Sequence, residues 1–270
     1  MTNLNKDNWI ADANAIIKDV LTKALLNAQN GSWDENYITT QLLISLGELG
    51  KTLHWESQNQ KIIWDSYKQR GNAETNSGDI LFFIKVTLSE DVTIEGVTYY
   101  EAKKMYLNGH LDPVGFTSMK FPQLLRIYPY SSACNVLFYD VKSVSSADEA
   151  PATHSVGAFA FPLVFAYSLL KNERNQLDTK QLSGLGKSWA TLLADNFTGF
   201  GLDYRESSVV AAKEFINHFY PISPTNIVIA SISNVQDIEP ELDRTFIPLD
   251  AYARSNDKPD EMQLNTHDVE

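Results

Sequence analysis

The stretch "GDILFFIKVTLSEDVTIEGVTYYEAKKMY", residues 78–106, constrains the fold of this chain more than any other. Two apolar, β-branched and aromatic runs, at 79–88 and 97–107, are joined by "EDVTIEG" and predict a β-hairpin. Its polar residues are unusual for strands of this composition. Asp79 opens the first run, and Glu101 and Lys103 interrupt the second between Tyr99, Tyr100, Met105 and Tyr106. Side chains two residues apart share a face of a strand, so Glu101 and Lys103 project together. Asp79 faces them if the two strands pair. The competing reading is an exposed hairpin edge carrying a surface salt bridge.

The flanking sequence places the hairpin in an α/β context. Residues 8–29 and a segment from Asp34 or Glu35 through "YITTQLLISLGELGKTL" show apolar residues at helical spacing. "KIIWDSYKQR" from Lys61 reads as a strand and "GNAETNSG" as a loop. A short helix is predicted at 121–127, a buried strand at 132–141 and a polar loop at 142–155. Three helical patterns follow, at about 156–171, 180–196 and 206–219, and then a β-branched strand at 224–233. The expected architecture is a mixed central β-sheet flanked by helices, with a core at about 33–140 and a C-terminal helical elaboration at 156–219. Residues 1–235 form one domain in this reading. The segment 236–270 carries ten acids against three bases without periodicity, and is expected to be a flexible acidic tail.

Two carboxylates and an ammonium at one point of a sheet suit phosphodiester hydrolysis. Carboxylates hold a hard divalent cation such as Mg²⁺ or Mn²⁺, with water completing its shell. Such an ion activates a bound water and stabilises charge on phosphate. A lysine beside it positions the water or neutralises the pentacovalent phosphate.

"GDI" at 78–80 and "EAK" at 101–103, in this strand and helix context, resemble the PD-(D/E)XK nuclease superfamily, whose fold is restriction-endonuclease-like. The resemblance covers roughly residues 33–140. It implies a metal-dependent endonuclease with Asp79 and Glu101 as metal ligands and Lys103 as a catalytic partner. The proline that usually precedes the aspartate is replaced by Gly78. The resemblance also implies an acid on the preceding helix. Glu35 is preferred to Glu48 for that role, with Glu74 an outer acid in the loop before Asp79. Gln123 is expected to accompany the site from the segment after the hairpin.

Other motifs carry less. "SGLGKS" at 183–188 lacks the spacing and the preceding strand of a phosphate-binding loop, and its glycines are expected to open a helix. His54, His110, His154, His218 and His267 show no metal-ligand spacing. Arg126, Tyr128 and Tyr130 are candidate phosphate or base contacts. Cys134, the one cysteine, permits no intrachain disulfide and is expected to be an inert core thiol.

The net charge of −12 argues against a broad nucleic-acid-binding surface. A nuclease of this charge is expected to need a protein partner, a nucleotide signal or self-assembly to hold DNA. That expectation suits an antiphage defence effector better than a restriction-type enzyme. No run reaches the roughly 18–20 apolar residues of a membrane span, and no signal peptide is read, so a cytoplasmic, non-membrane protein is expected. The alternative is a non-catalytic nuclease-fold subunit that bridges proteins through the helices after residue 155.

Overall fold

A computed structural model describes residues 5–70, 78–119, 122, 128–144, 153–172, 182, 184–217, 224–235 and 237–256. Helix α1 spans Lys6–Leu26, with Asn5 accepting the Asp7 N–H as its cap. Trp9, Ala13, Ile17, Val20, Leu21 and Ala24 form its buried stripe. Helix α2 spans Glu35–Glu48, and Asp34 accepts the N–H groups of Asn36 and Tyr37. That cap fixes Glu35 as the first helical residue.

The sheet has nine strands and is mixed. Its strands are β1 (Thr52–Trp55), β2 (Gln60–Gln69), β3 (Ile80–Ser89), β4 (Val92–Lys104), β7 (Cys134–Val144), β8 (Thr153–Pro162), β9 (Lys187–Ser188), β10 (Asn226–Ser233) and β11 (Tyr252–Arg254). Their order is β1-β2-β10-β3-β4-β7-β8-β9, with β11 paired to β2. Strand β10 runs parallel to β3 and antiparallel to β2, and β7 runs parallel to β4; the remaining pairs are antiparallel. A small second sheet joins β5 (Tyr106–Leu107) to β6 (Pro113–Gly115). Three further helices are α3 (Leu163–Asn172), α4 (Trp189–Asn196) and α5 (Glu206–Asn217). The α/β class with a mixed central sheet is as expected from the sequence.

Several boundaries differ from that expectation. The hairpin is tighter: β4 begins at Val92, so only Glu90 and Asp91 separate it from β3. The pattern at 156–171 is a strand first and a helix second. Val156, Ala158, Phe159, Ala160 and Phe161 are buried on the two faces of the sheet, and a doubly buried strand is a continuous apolar run that periodicity cannot separate from a buried helix. The helix expected at 180–196 starts only at Trp189, where Ser188 accepts the Thr191 N–H. The elaboration after 156 is therefore not all helical, because β8 and β9 extend the main sheet. The final strand is no appendage either. All eight residues of β10 are buried, between β2 and β3.

The expected free tail is corrected for its first part. Residues 237–256 dock on the domain: β11 adds to β2, Ile247 and Tyr252 are buried, and the Tyr252 hydroxyl donates to the Pro224 carbonyl at 2.8 Å. Two apolar anchors, Ile247 and Tyr252, in an acidic segment give no period to read. Residues 257–270, and nearly all of the helix expected at 121–127, lie outside the described residues.

Candidate functional site

The site forms where β4 parts from β3. Strand β3 begins at Ile80, opposite Tyr100, whereas β4 continues to Lys104 alongside β7. The N–H groups of Tyr99 and Met105 point to β7, where they meet the carbonyls of Ala133 and Tyr139. Alternation therefore turns the N–H groups of Ala102 and Lys104 toward the side that β3 has left. Two carboxylates take the place of the missing strand. Asp79 Oδ2 accepts the Ala102 N–H at 2.6 Å, and Glu35 Oε1 accepts the Lys104 N–H at 3.0 Å.

Lys103 lies between the acids. Its Nζ donates to Glu101 Oε1 at 2.7 Å and to the Ala102 carbonyl at 2.8 Å, and stands 3.9 Å from Glu35 Oε2. Lys103 is 1% exposed and Glu101 4%, which rules out a solvated pair on an exposed hairpin edge. Burial alone pushes the lysine's pKa down, but the charges of Glu101, Asp79 and Glu35 outweigh it and hold the ammonium above its ordinary value. Burial raises the Asp79 carboxyl well above the usual carboxylate range, helped by Glu101 and Glu35 and opposed by Lys103 and the Ala102 N–H.

The structure thus brings together Asp79, Glu101, Lys103 and Glu35. Glu48 is exposed at the far end of α2 and takes no part. Glu74, Gln123 and Arg126 lie outside the described residues. His110 is in an exposed turn, its N–H donating to Asn108 Oδ1. Tyr128 is exposed, and the Tyr130 ring packs edge-on against Phe215. Cys134 is buried, and burial pushes its thiol up to about 12, as suits an inert core residue.

Four supporting residues were not legible in the sequence. Asn226, fully buried at the start of β10, donates to the Asp79 carbonyl through its backbone N–H at 2.9 Å and its side chain at 3.0 Å. Ser118 donates to Glu35 Oε1 at 3.2 Å. Tyr139 and Thr39 share a 2.6 Å hydrogen bond that ties β7 to α2. Asn226 is 147 residues from Asp79 and opens a strand of ordinary composition, so only topology reveals it.

Gly78 holds a backbone conformation that is closed to proline. Its φ is +94°, which a proline ring, fixed near −65°, cannot adopt. The backbone turn that glycine permits leads Asp79 into the position from which it caps Ala102.

Among the described residues, no group of three or more His, Cys, Asp or Glu side chains is arranged as a ready cage for a metal ion. Carboxylate oxygens are nevertheless the donor type that a hard divalent cation takes. Mg²⁺ is commonly held by one or two carboxylates, with water and substrate phosphate supplying the rest. Asp79 and Glu101 would offer the oxygens. Comparison with known protein families, curated proteins and solved structures finds no match for this chain.

Proposed function

We propose that this chain is a metal-dependent nuclease that hydrolyses DNA phosphodiester bonds. One observation carries the reading: a buried ammonium, Lys103, is held by Glu101 beside Asp79 at the open end of a strand. In this reading Asp79 and Glu101 hold Mg²⁺ or Mn²⁺, which supplies an activated water and stabilises charge on phosphate when bound. Lys103 keeps its proton through three nearby acids, so it serves as a charge-stabilising donor toward a phosphate oxygen rather than as a ready base. Glu35, joined to Lys104 and Ser118, fixes α2 against the strand and orients Lys103 from its far side. Asn226 holds the backbone of Asp79.

A net charge of −12 supports an enzyme that gathers DNA with a partner or with further copies of itself, as an antiphage defence effector acting in the cytoplasm would. No helix among the described residues is long and apolar enough to cross a membrane. One observation favours a second reading, a nuclease fold kept as a non-catalytic subunit. Lys103 and Glu101 are so enclosed that they also suit an internal brace. Incubating the protein with supercoiled plasmid and with single-stranded RNA, each with Mg²⁺, Mn²⁺ or EDTA, separates the two. Metal-dependent DNA nicking is expected, and no cleavage under any condition counts for the brace.

A further inference from the structure

Strand β4 carries Glu101 and Lys103 on one face and borders a cavity of about 730 Å³ on the other. Tyr100 lies one residue before Glu101, so alternation turns its side chain to the opposite face. Register sets Tyr100 in a row with Asn135 and Pro162, across β4, β7 and β8, and all three line the cavity. Helix α4 and the segment 200–202 line it as well. The volume falls within the roughly 300–1,000 Å³ of small-molecule sites.

The rim holds two large apolar side chains in solvent, Phe200 at 69% exposure and Leu185 at 52%. Single exposed apolar residues are ordinary. What sets Phe200 apart is how firmly its backbone is held. Its N–H donates to the Asp195 carbonyl at 2.9 Å, and its carbonyl accepts Asn196 Nδ2 at 3.0 Å. Asn196 is itself buried and fixed from β4, since the Tyr100 hydroxyl donates to its Oδ1 at 2.6 Å. Gly199 and Gly201, at φ +87° and +71°, supply the left-handed backbone on either side. A hydrogen-bonded chain rooted in the sheet therefore presents an aromatic ring, already ordered, at the mouth of a cavity. Such a ring is a preorganised stacking surface.

The polar lining narrows the ligand. Asn135 donates to Thr98 Oγ1 at 3.3 Å through Nδ2, and its Oδ1 has no donor among the described residues. Asp195 takes the Lys6 ammonium on Oδ1 at 3.0 Å, which leaves Oδ2 as a second acceptor. Lys187, exposed on β9, also lines the cavity and has no ion pair among the described residues. A planar ring for Phe200, N–H donors for two acceptors and an anion for Lys187 are together the parts of a nucleotide whose base carries an amino group.

We propose that this cavity binds a nucleotide, with the base against Phe200, its amino group toward Asn135 and Asp195, and its phosphate at Lys187. The site stands apart from the nuclease reading, since none of these residues belongs to the Asp79 cluster. The test is isothermal titration calorimetry of the full chain with GMP, AMP and CMP and with their nucleosides. EDTA is present, so that no metal bridges a phosphate to Asp79 and Glu101. At least one nucleotide is expected to bind with a Kd of about 1 mM or tighter. Phe200→Ala, at an exposed position, is expected to keep the melting temperature and to weaken that binding at least about 5-fold, the lower bound for losing a stacked base. Lys187→Gln is expected to weaken the monophosphate and not the nucleoside. No heat from any of the three nucleotides, or an unchanged affinity in Phe200→Ala, overturns the site. Equal weakening of nucleoside and monophosphate by Lys187→Gln overturns the phosphate contact. Self-association in light scattering that Phe200→Ala abolishes, with no nucleotide bound, overturns the ligand and assigns the ring to a contact between copies of the chain.

Discussion

Asp79 reaches past the end of its own strand to accept the N–H of Ala102, at 2.6 Å, where β3 no longer runs beside β4. The carboxylate therefore serves the sheet as well as the proposed chemistry. Its geometry depends on the residue before it. A proline here, Gly78→Pro, should damage this protein, because φ at this position is +94°. Gly78→Ala should cost about 1–2 kcal/mol, the penalty of a left-handed backbone for a side-chain-bearing residue. Chemical denaturation of both variants checks this, and a proline variant as stable as the wild type would show that the turn does not govern Asp79.

Asn226 is expected to act as a positioning residue. Asn226→Ala removes the side-chain donor to the Asp79 carbonyl and should cost about 1–3 kcal/mol, the range for leaving a buried polar group unpaired. Metal titration by calorimetry should show weaker Mn²⁺ binding. Asn226→Asp should not rescue it, because a carboxylate cannot donate to a carbonyl. Unchanged metal affinity in both variants would reduce Asn226 to a strand residue.

The hairpin and its acids were legible because strand alternation is local: spacing places Glu101 and Lys103 on one face, and pairing of the two strands brings Asp79 to them. Glu35 was legible because Asp34 caps a strong apolar helix. Asn226 was not, since it meets Asp79 only through a parallel pairing of β10 with β3 that no local signal encodes. The part of β8 from Val156 to Pro162 reads as helix for the opposite reason, an excess of apolar signal on both faces. The docking of 237–256 depends on single anchors such as Tyr252, and on Asp65, which the sequence gives no cause to link with Arg244.

Asp203 should set part of the acid stability. It accepts hydrogen bonds from Arg205, from the Ser132 N–H and from the hydroxyls of Ser131, Ser132 and Ser208. The Arg205 contact foremost, with these others, holds its carboxyl far below the ordinary carboxylate range, despite the opposing effect of burial. A depressed folded value stabilises the fold above the unfolded pKa of about 4, and that stability is lost as pH falls below it. Asp203→Asn should therefore lower the melting temperature at pH 7 and flatten its decline between about pH 4 and pH 2. A parallel decline in wild type and variant would remove Asp203 from the acid response.

Removing residues 237–270 should destabilise the domain, since it strips β11 from β2 and exposes the pocket of Tyr252. Truncation after Asn256 keeps every described contact of the segment and should leave the melting temperature within a few degrees of the full chain. Equal melting temperatures for both truncations would show that the docked segment adds little.

The nuclease reading is tested most directly by nicking of supercoiled plasmid in Mg²⁺ by the wild type and by Glu101→Gln. The glutamine keeps an oxygen for the Lys103 ammonium and about the same volume, so the fold should hold while the negatively charged metal ligand is lost. Nicking by the wild type, and a drop of about 10²-fold or more in the variant with an unchanged circular dichroism spectrum, is the expected result. Undiminished nicking by Glu101→Gln would remove Glu101 from the reaction and contradict this mechanism.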